Sequence, residues 1–291
     1  MHRFDYYAPA SIAEAIELLH SKGSEGKVLA GGTDLVPQMK ERGRHPTYIV
    51  SLKNIKELQG IRFSAEHGLQ VGAATKFSAL QAHPMVGPHY PAILQSAKMI
   101  GSLQTQNLAT IGGNFCNAAP SADAAPAFIV LEATATIQGP RGARTIPAKD
   151  VMQGPGRTGL AHDELLTELT VPIPVPHETS AYARHVPRRE LDIAVAGVAV
   201  YLRMDEAHER ITHARLCLSA VAPTPLRAAE TEAALVGQAP SEELFRHAGE
   251  VAAREAQPIA DQRGSVAFRR TLVRALTERT LSQALQTIRA A

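Results

Sequence analysis

Two Gly-Gly segments constrain this chain more than any other feature. The first is Ala30-Gly31-Gly32-Thr33-Asp34-Leu35 and the second is Thr110-Ile111-Gly112-Gly113-Asn114. Each follows an apolar segment and has paired glycines, then a residue able to cap a helix or bond a ligand oxygen. Glycine admits φ > 0 and lets backbone approach a ligand with no Cβ between them. Successive N–H groups then turn inward and form an anion nest. A helix predicted from Asp34 to Glu41 would aim its positive end at the same place. One Gly-Gly pair alone makes a turn; two, on two subdomains and with matching polar followers, suit a pyrophosphate held between them. Neither segment is G-x-G-x-x-G or G-x-x-x-x-G-K-[ST], which disfavours a Rossmann or P-loop assignment. The whole stretch from Thr110 to Asp123, "TIGGNFCNAAPSAD", reads as an irregular loop.

The flanking sequence divides into three regions. Phe4 to Tyr7 is an edge strand stopped by Pro9. Ser11 and Glu14 form a capping box in front of a helix whose apolar face is Ile12, Ala15, Ile16, Leu18 and Leu19. Gly23 suits its C-cap. Strands at Lys27 to Ala30 and Thr47 to Leu52 complete a β-α-β-α-β pattern, a small α/β subdomain over about residues 1–57. A strand-rich second subdomain spans roughly 58–176. It holds "GIRFS", "GLQVGAAT", a helical stretch from His89 to Met99, a hairpin on Gly139-Pro140-Arg141-Gly142 and a strand from Glu164 to Pro174. From His177 on, "TSAYARHV", "IAVAGVAVYLRM" and "RITHARLCLSAVA" read as three longer strands, followed by three helices. The expected fold class is α+β: residues 1–176 in two subdomains, then a C-terminal domain, 177–291, of a three-stranded antiparallel sheet packed with helices.

Composition excludes several functions. The formal net charge is +2 and the longest basic cluster is Pro187 to Glu190, which argues against a nucleic-acid partner. No apolar run reaches the length of a transmembrane segment, and "MHRFDYYAPAS" has no signal-peptide pattern, so the chain reads as cytoplasmic. The 12 histidines are scattered without an H-E-x-x-H spacing, which argues against a metal site. The two cysteines, Cys116 and Cys217, are too few for an iron–sulfur cluster, which takes four Cys ligands. Cys116 reads as a small packed residue rather than a redox thiol.

"LAGGTDLVPQMK", "ATIGGNFCNAAPSADAAP" and "YARHVPRRELDIAVAGVAV" occur in that order along the chain. Together they resemble the FAD-binding subunit of the molybdenum hydroxylase family. That family includes the medium chain of aerobic carbon monoxide dehydrogenase and the flavin domain of xanthine dehydrogenase. The resemblance covers essentially the whole chain. It implies a FAD domain of the p-cresol methylhydroxylase type followed by the family's C-terminal domain. Ala30, Gly31, Gly32, Thr33, Asp34 and Leu35 would wrap the FAD pyrophosphate from one side, and Ala109, Thr110, Gly112, Gly113 and Asn114 from the other. Asp123 would hydrogen-bond toward the ribityl and flavin end, or cap the helix that follows it. Leu166 would pack over the isoalloxazine ring, or serve as an ordinary core leucine. Arg184 would stand near the ring, or be a surface residue of its strand. Asp192 belongs to the "DIA" element of the same likeness. Gln106 and Ala109 depart from the family pattern, which has Arg and Gly there.

The resemblance also implies partners. A large subunit would carry the molybdenum cofactor and oxidise the substrate, and a small subunit would carry two [2Fe–2S] clusters. This chain would pass their electrons to an external acceptor, with a dimer of heterotrimers as one assembly. The cysteine count fits that division, because the clusters must lie on another polypeptide. The substrate would be chosen by the molybdenum subunit, among CO, purines, aldehydes and N-heteroaromatics; the acceptor would be NAD, a quinone or O2. The alternative is a self-sufficient FAD oxidase or dehydrogenase of the p-cresol methylhydroxylase class. It needs acid–base groups in the C-terminal region, where no convincing His/Tyr constellation stands out.

Overall fold

The computed structural model describes residues 2–41, 43–188 and 191–290; Arg189 and Glu190 of the basic cluster lie outside them. The first subdomain begins with the expected capping box. Ser11 Oγ accepts the Glu14 N–H at 3.2 Å, satisfying one orphan donor of α1 (Ile12–Lys22), and Glu14 Oε2 reaches back past the cap to accept the Ala10 N–H at 2.8 Å. Gly23 ends it at φ +76° and donates to the Leu19 carbonyl at 3.2 Å. Strands β1 (Asp5–Tyr7), β2 (Gly26–Leu29) and β3 (Tyr48–Ser51) form a parallel sheet in the order β1-β3-β2, with α2 (Leu35–Glu41) crossing from β2 to β3. Parallel neighbours need such crossovers. The central β3 is buried throughout.

The second subdomain is an antiparallel sheet wrapped by helices. Its strands are β4 (Ile61–Ser64), β5 (Gly68–Gly72), β6 (Thr134–Gly139), β7 (Gly142–Pro147) and, after a small hairpin of β8 (Met152–Gly154) and β9 (Arg157–Thr158), β10 (Leu165–Val171). The sheet order is β4-β5-β10-β6-β7. The β6–β7 hairpin sits where its turn residues predict, with Gly139 opposite Gly142. The connection from β5 to β6 holds more helices than the two expected, the stretch from His89 to Met99 and the one following Asp123. It contains α3 (Phe77–Ala82), α4 (Val86–His89), α5 (Pro91–Lys98), α6 (Leu103–Gln106), α7 (Ile111–Asn117) and α8 (Ala124–Val130). Most of these are two turns or shorter, and their apolar faces fill one shared core rather than a stripe of their own.

The C-terminal sheet runs β11 (Glu178–His185), β12 (Ala196–Met204), β13 (Ile211–Ser219) and β14 (Leu226–Arg227), all antiparallel. The expected three-stranded sheet therefore has a fourth, two-residue strand. Ala181, Val198, Val200, Leu216 and Leu218 face α9 (Ala229–Leu235), α10 (Glu242–Glu255) and α11 (Val266–Ala290). Tyr182, Ala199, Tyr201 and Cys217 face the core of the second subdomain. A sheet covered on both faces has no polar side to alternate with, and β12 is accordingly buried at every position except Arg203. Among the described residues no helix is long and apolar enough to cross a membrane.

Candidate cofactor-binding site

The two glycine segments meet. A Cβ on Gly31 would lie 2.8 Å from the Leu108 carbonyl carbon and 2.9 Å from the Ala109 Cα, so only glycine lets the first turn touch the backbone leading into the second. Gly32 holds φ +75°, the left-handed region where a side chain is strained. Gln38 of α2 donates through Nε2 to Asn117 Oδ1 of α7 at 3.2 Å, which ties the subdomains together beside the contact. The first turn presents its backbone: among the described residues, no hydrogen bond takes the N–H of Gly31, Gly32, Thr33 or Leu35. These donors are half-buried, and uncommitted N–H groups of this kind are what an anion nest uses. The helix behind them, α2, has only seven residues.

The second segment is built differently, and here the expectation of an irregular loop is wrong. Ile111 to Asn117 form α7, with Thr110 as its N-cap. Thr110 Oγ1 accepts the Gly113 N–H at 3.1 Å. The Ile111 N–H donates to the Thr75 carbonyl at 3.0 Å and the Gly112 N–H to the Ala73 carbonyl at 2.8 Å. The N–H groups expected to grip a phosphate are thus spent within the chain. Gly112 is a packing glycine, since a Cβ there would sit 2.7 Å from both Ala73 Cβ and its carbonyl oxygen. What this segment offers instead is Asn114, whose Oδ1 is buried without a hydrogen-bond partner. A buried amide oxygen left unpaired is costly and suits a donor on a bound molecule.

The third cluster forms where the C-terminal sheet meets α8. Asp123 stands at the N-cap position of α8, yet its side chain makes no cap bond. Its Oδ1 accepts the Tyr182 hydroxyl at 2.7 Å and its Oδ2 accepts Arg184 Nη1 at 2.5 Å. The pair is buried, with side-chain exposures of 5% for Arg184 and 9% for Asp123, so Arg184 is no surface residue. Burial pushes the Asp123 carboxyl up to about 6, against the pull of Arg184 and Tyr182. The geometry reflects strand period: Tyr182 and Arg184 are two apart on β11 and point the same way. Tyr182 is the residue that sequence reasoning missed. Its signal was that same i, i+2 spacing ahead of Arg184.

The remaining predicted residues are placed as follows. Leu166 is 4% exposed, opposite Ile137, immediately before a bulge in β10, inside the second subdomain's core. Asp192 accepts the N–H groups of Arg188 and Ile193 at 3.1 and 2.8 Å; it shapes its own turn and does not join Asp123. Gln106 donates to the carbonyls of Lys98 and Ile100 at 3.1 and 3.0 Å and accepts from Gln81 at 3.0 Å, a neutral brace where the family pattern has Arg. Cys116 is exposed, so it is not the packed residue expected; the protein atoms around its sulfur push the thiol up to about 12, leaving it protonated at neutral pH.

The arrangement fits a dinucleotide cofactor: free N–H groups on one subdomain, an unpaired buried amide on the other, and a buried ion pair farther along. Residues 2–174 match the family model described as the FAD binding domain in molybdopterin dehydrogenase, and residues 181–284 match the carbon monoxide dehydrogenase flavoprotein C-terminal domain. A putative xanthine dehydrogenase FAD-binding subunit of Escherichia coli (strain K12) is 33% identical, covering 96% of this chain and 95% of its own. The carbon monoxide dehydrogenase medium chain of Hydrogenophaga pseudoflava is 34% identical, covering 97% of each. The structure of carbon monoxide dehydrogenase from Hydrogenophaga pseudoflava lacking the Mo-pyranopterin moiety superposes with a TM-score of 0.94, at 35% identity over 98% of both chains. The chain belongs to the molybdopterin dehydrogenase FAD-binding family, with that family's carbon monoxide dehydrogenase flavoprotein C-terminal domain.

Proposed function

We propose that this chain is the FAD-binding electron-transfer subunit of a multi-subunit molybdenum hydroxylase. The observation that carries the reading is the contact between the two glycine segments, with one subdomain's N–H groups uncommitted beside it. Gly31, Gly32, Thr33 and Leu35 hold the FAD pyrophosphate through those N–H groups, with Ala30 and Asp34 completing the turn. Ala109, Thr110, Gly112 and Gly113 build the opposing wall, and Asn114 hydrogen-bonds the cofactor through its unpaired amide. Asp123 accepts from the ribityl and flavin end, while Arg184 sets a fixed positive charge near the ring, where negative charge develops on reduction. Leu166 packs toward the ring. FAD, when bound, supplies the conversion between one-electron delivery and two-electron release.

Electrons would arrive from [2Fe–2S] clusters on a small partner subunit, after substrate oxidation on a large molybdenum subunit, and leave to an external acceptor. The domain division at about residue 176, the dimer of heterotrimers and the cytoplasmic location belong to the same proposal. The relatives named above support the subunit reading over a self-sufficient oxidase, because each is itself a subunit or medium chain. The test is the visible spectrum of the purified chain after FAD addition and gel filtration. A retained flavin spectrum is expected, and a colourless chain would overturn the reading.

A further inference from the structure

We propose that Tyr182 is a positioning residue for the flavin end of the site: its phenol holds Asp123 as the ionised, oriented partner of Arg184. The inference deepens the functional reading above and rests on it for the cofactor's presence. Three strands cooperate in the placement. Tyr182 is 2% exposed in the middle of β11. Its hydroxyl needs room on β12, and Gly197, the register partner of Arg184, provides it. A Cβ at Gly197 would come within 2.9 Å of the Tyr182 Oη. Ser219 of β13, the partner of Gly197 across the next ladder, brings its hydroxyl beside the phenol but outside hydrogen-bond geometry. The phenol's single proton is therefore directed to Asp123 Oδ1 at 2.7 Å.

Among the described residues, the groups acting on the Asp123 carboxyl are Arg184 and Tyr182, both from β11; Gly197 of β12 and the uncharged Ser219 hydroxyl of β13 lie against the phenol. Burial holds the phenol well above its ordinary range, so it acts as a permanent donor. Each Asp123 oxygen thus has one fixed donor, and the remaining lone pairs are left to a ligand. Arg184 is held at the edge of a cavity of about 360 Å³ lined also by Met99, Ser102, Gln106 and Val186. Removing the phenol proton leaves desolvation opposed by Arg184 alone, and Asp123 then takes up a proton near neutral pH. The pair would pass from a neutral ion pair to a lone guanidinium.

The test uses the full chain with 13C-labelled Asp carboxyls, as wild type, Tyr182→Phe and Asp123→Asn. The last identifies the Asp123 signal by its absence. In the cofactor-free chain, Tyr182→Phe should raise Asp123's proton affinity about tenfold or more, the size of one hydrogen bond to a charged acceptor. With FAD bound, the pH at which the flavin's reduction potential changes slope should move up by the same amount. The phenyl ring keeps the packing, so the melting temperature at pH 5 should stay close to wild type. A wild-type chain that takes up no FAD sinks the functional reading. A Tyr182→Phe chain that titrates and binds like wild type sinks this inference alone.

Discussion

Replacing Arg184 by Met tests the buried pair at the centre of the site. Met fills much of the same volume but leaves Asp123 with Tyr182 as its only donor. In the wild-type chain the Asp123 carboxyl is raised to about 6 by burial, from an ordinary value of 3.8. A carboxyl raised on folding contributes stability at low pH that is lost as pH rises through the window from about 4 to about 6. Above that the wild-type contribution is flat. Without Arg184 the carboxyl titrates higher still, and the loss continues upward. Each further pH unit costs about 1.4 kcal/mol. At pH 8, about two units past the wild-type midpoint, the extra destabilisation approaches ~3 kcal/mol, the range seen on removing one partner of a buried pair. At pH 5 the carboxyl is protonated in both proteins, so this difference vanishes and only a packing term remains. The assay is thermal unfolding of both proteins, free of FAD, at pH 5 and pH 8. The melting-temperature gap should widen by about 5–10 °C between the two. An equal gap at both pH values would refute the argument that Arg184 sets the ionisation of Asp123.

Three further outcomes follow from the geometry. Gly31→Val forces a side chain into the backbone of Leu108 and Ala109; it should part the two segments and abolish flavin retention, read as the visible absorbance of the purified variant. Asn114→Leu removes an unpaired buried oxygen, so the cofactor-free chain should melt no lower than wild type while its FAD dissociation constant, from flavin fluorescence, rises about tenfold or more. Cys116 should resist alkylation by iodoacetamide at pH 8, because its thiol stays protonated, and Cys116→Ser should leave the flavin spectrum unchanged.

Local signals with few neighbours were legible in the sequence. Ser11 and Glu14 announce α1, and Gly139 to Gly142 announce the β6–β7 hairpin, because both are settled by backbone chemistry within a few residues. The contact of Gly31 with Leu108 and Ala109 agrees with the pairing of the two glycine segments. The internal order of the second segment was hidden. Ile111 and Phe115 are buried at i and i+4, a helical spacing, but Gly112 and Gly113 mask it and suggest a turn. Only the carbonyls of Ala73 and Thr75, far away in sequence, reveal that its N–H groups are spent. Of the helices from α3 to α8, only α5 and α8 were expected; the others escaped for a related reason. Short helices buried on several sides carry no clear polar face, so periodicity says little about them. Strand β14 was missed because two residues carry no pattern at all. Of the two readings of Arg184, the surface one fell only when Asp123, far away in sequence, was seen to pair with it.

Whether this chain carries the flavin of a larger molybdenum enzyme is decided by isolating the tagged chain from its native cells and measuring FAD, iron and molybdenum in the same gel-filtration peak. All three are expected in fixed proportion, with the iron and molybdenum on co-eluting subunits. A chain that elutes alone with FAD and oxidises a small molecule without iron or molybdenum would contradict that reading.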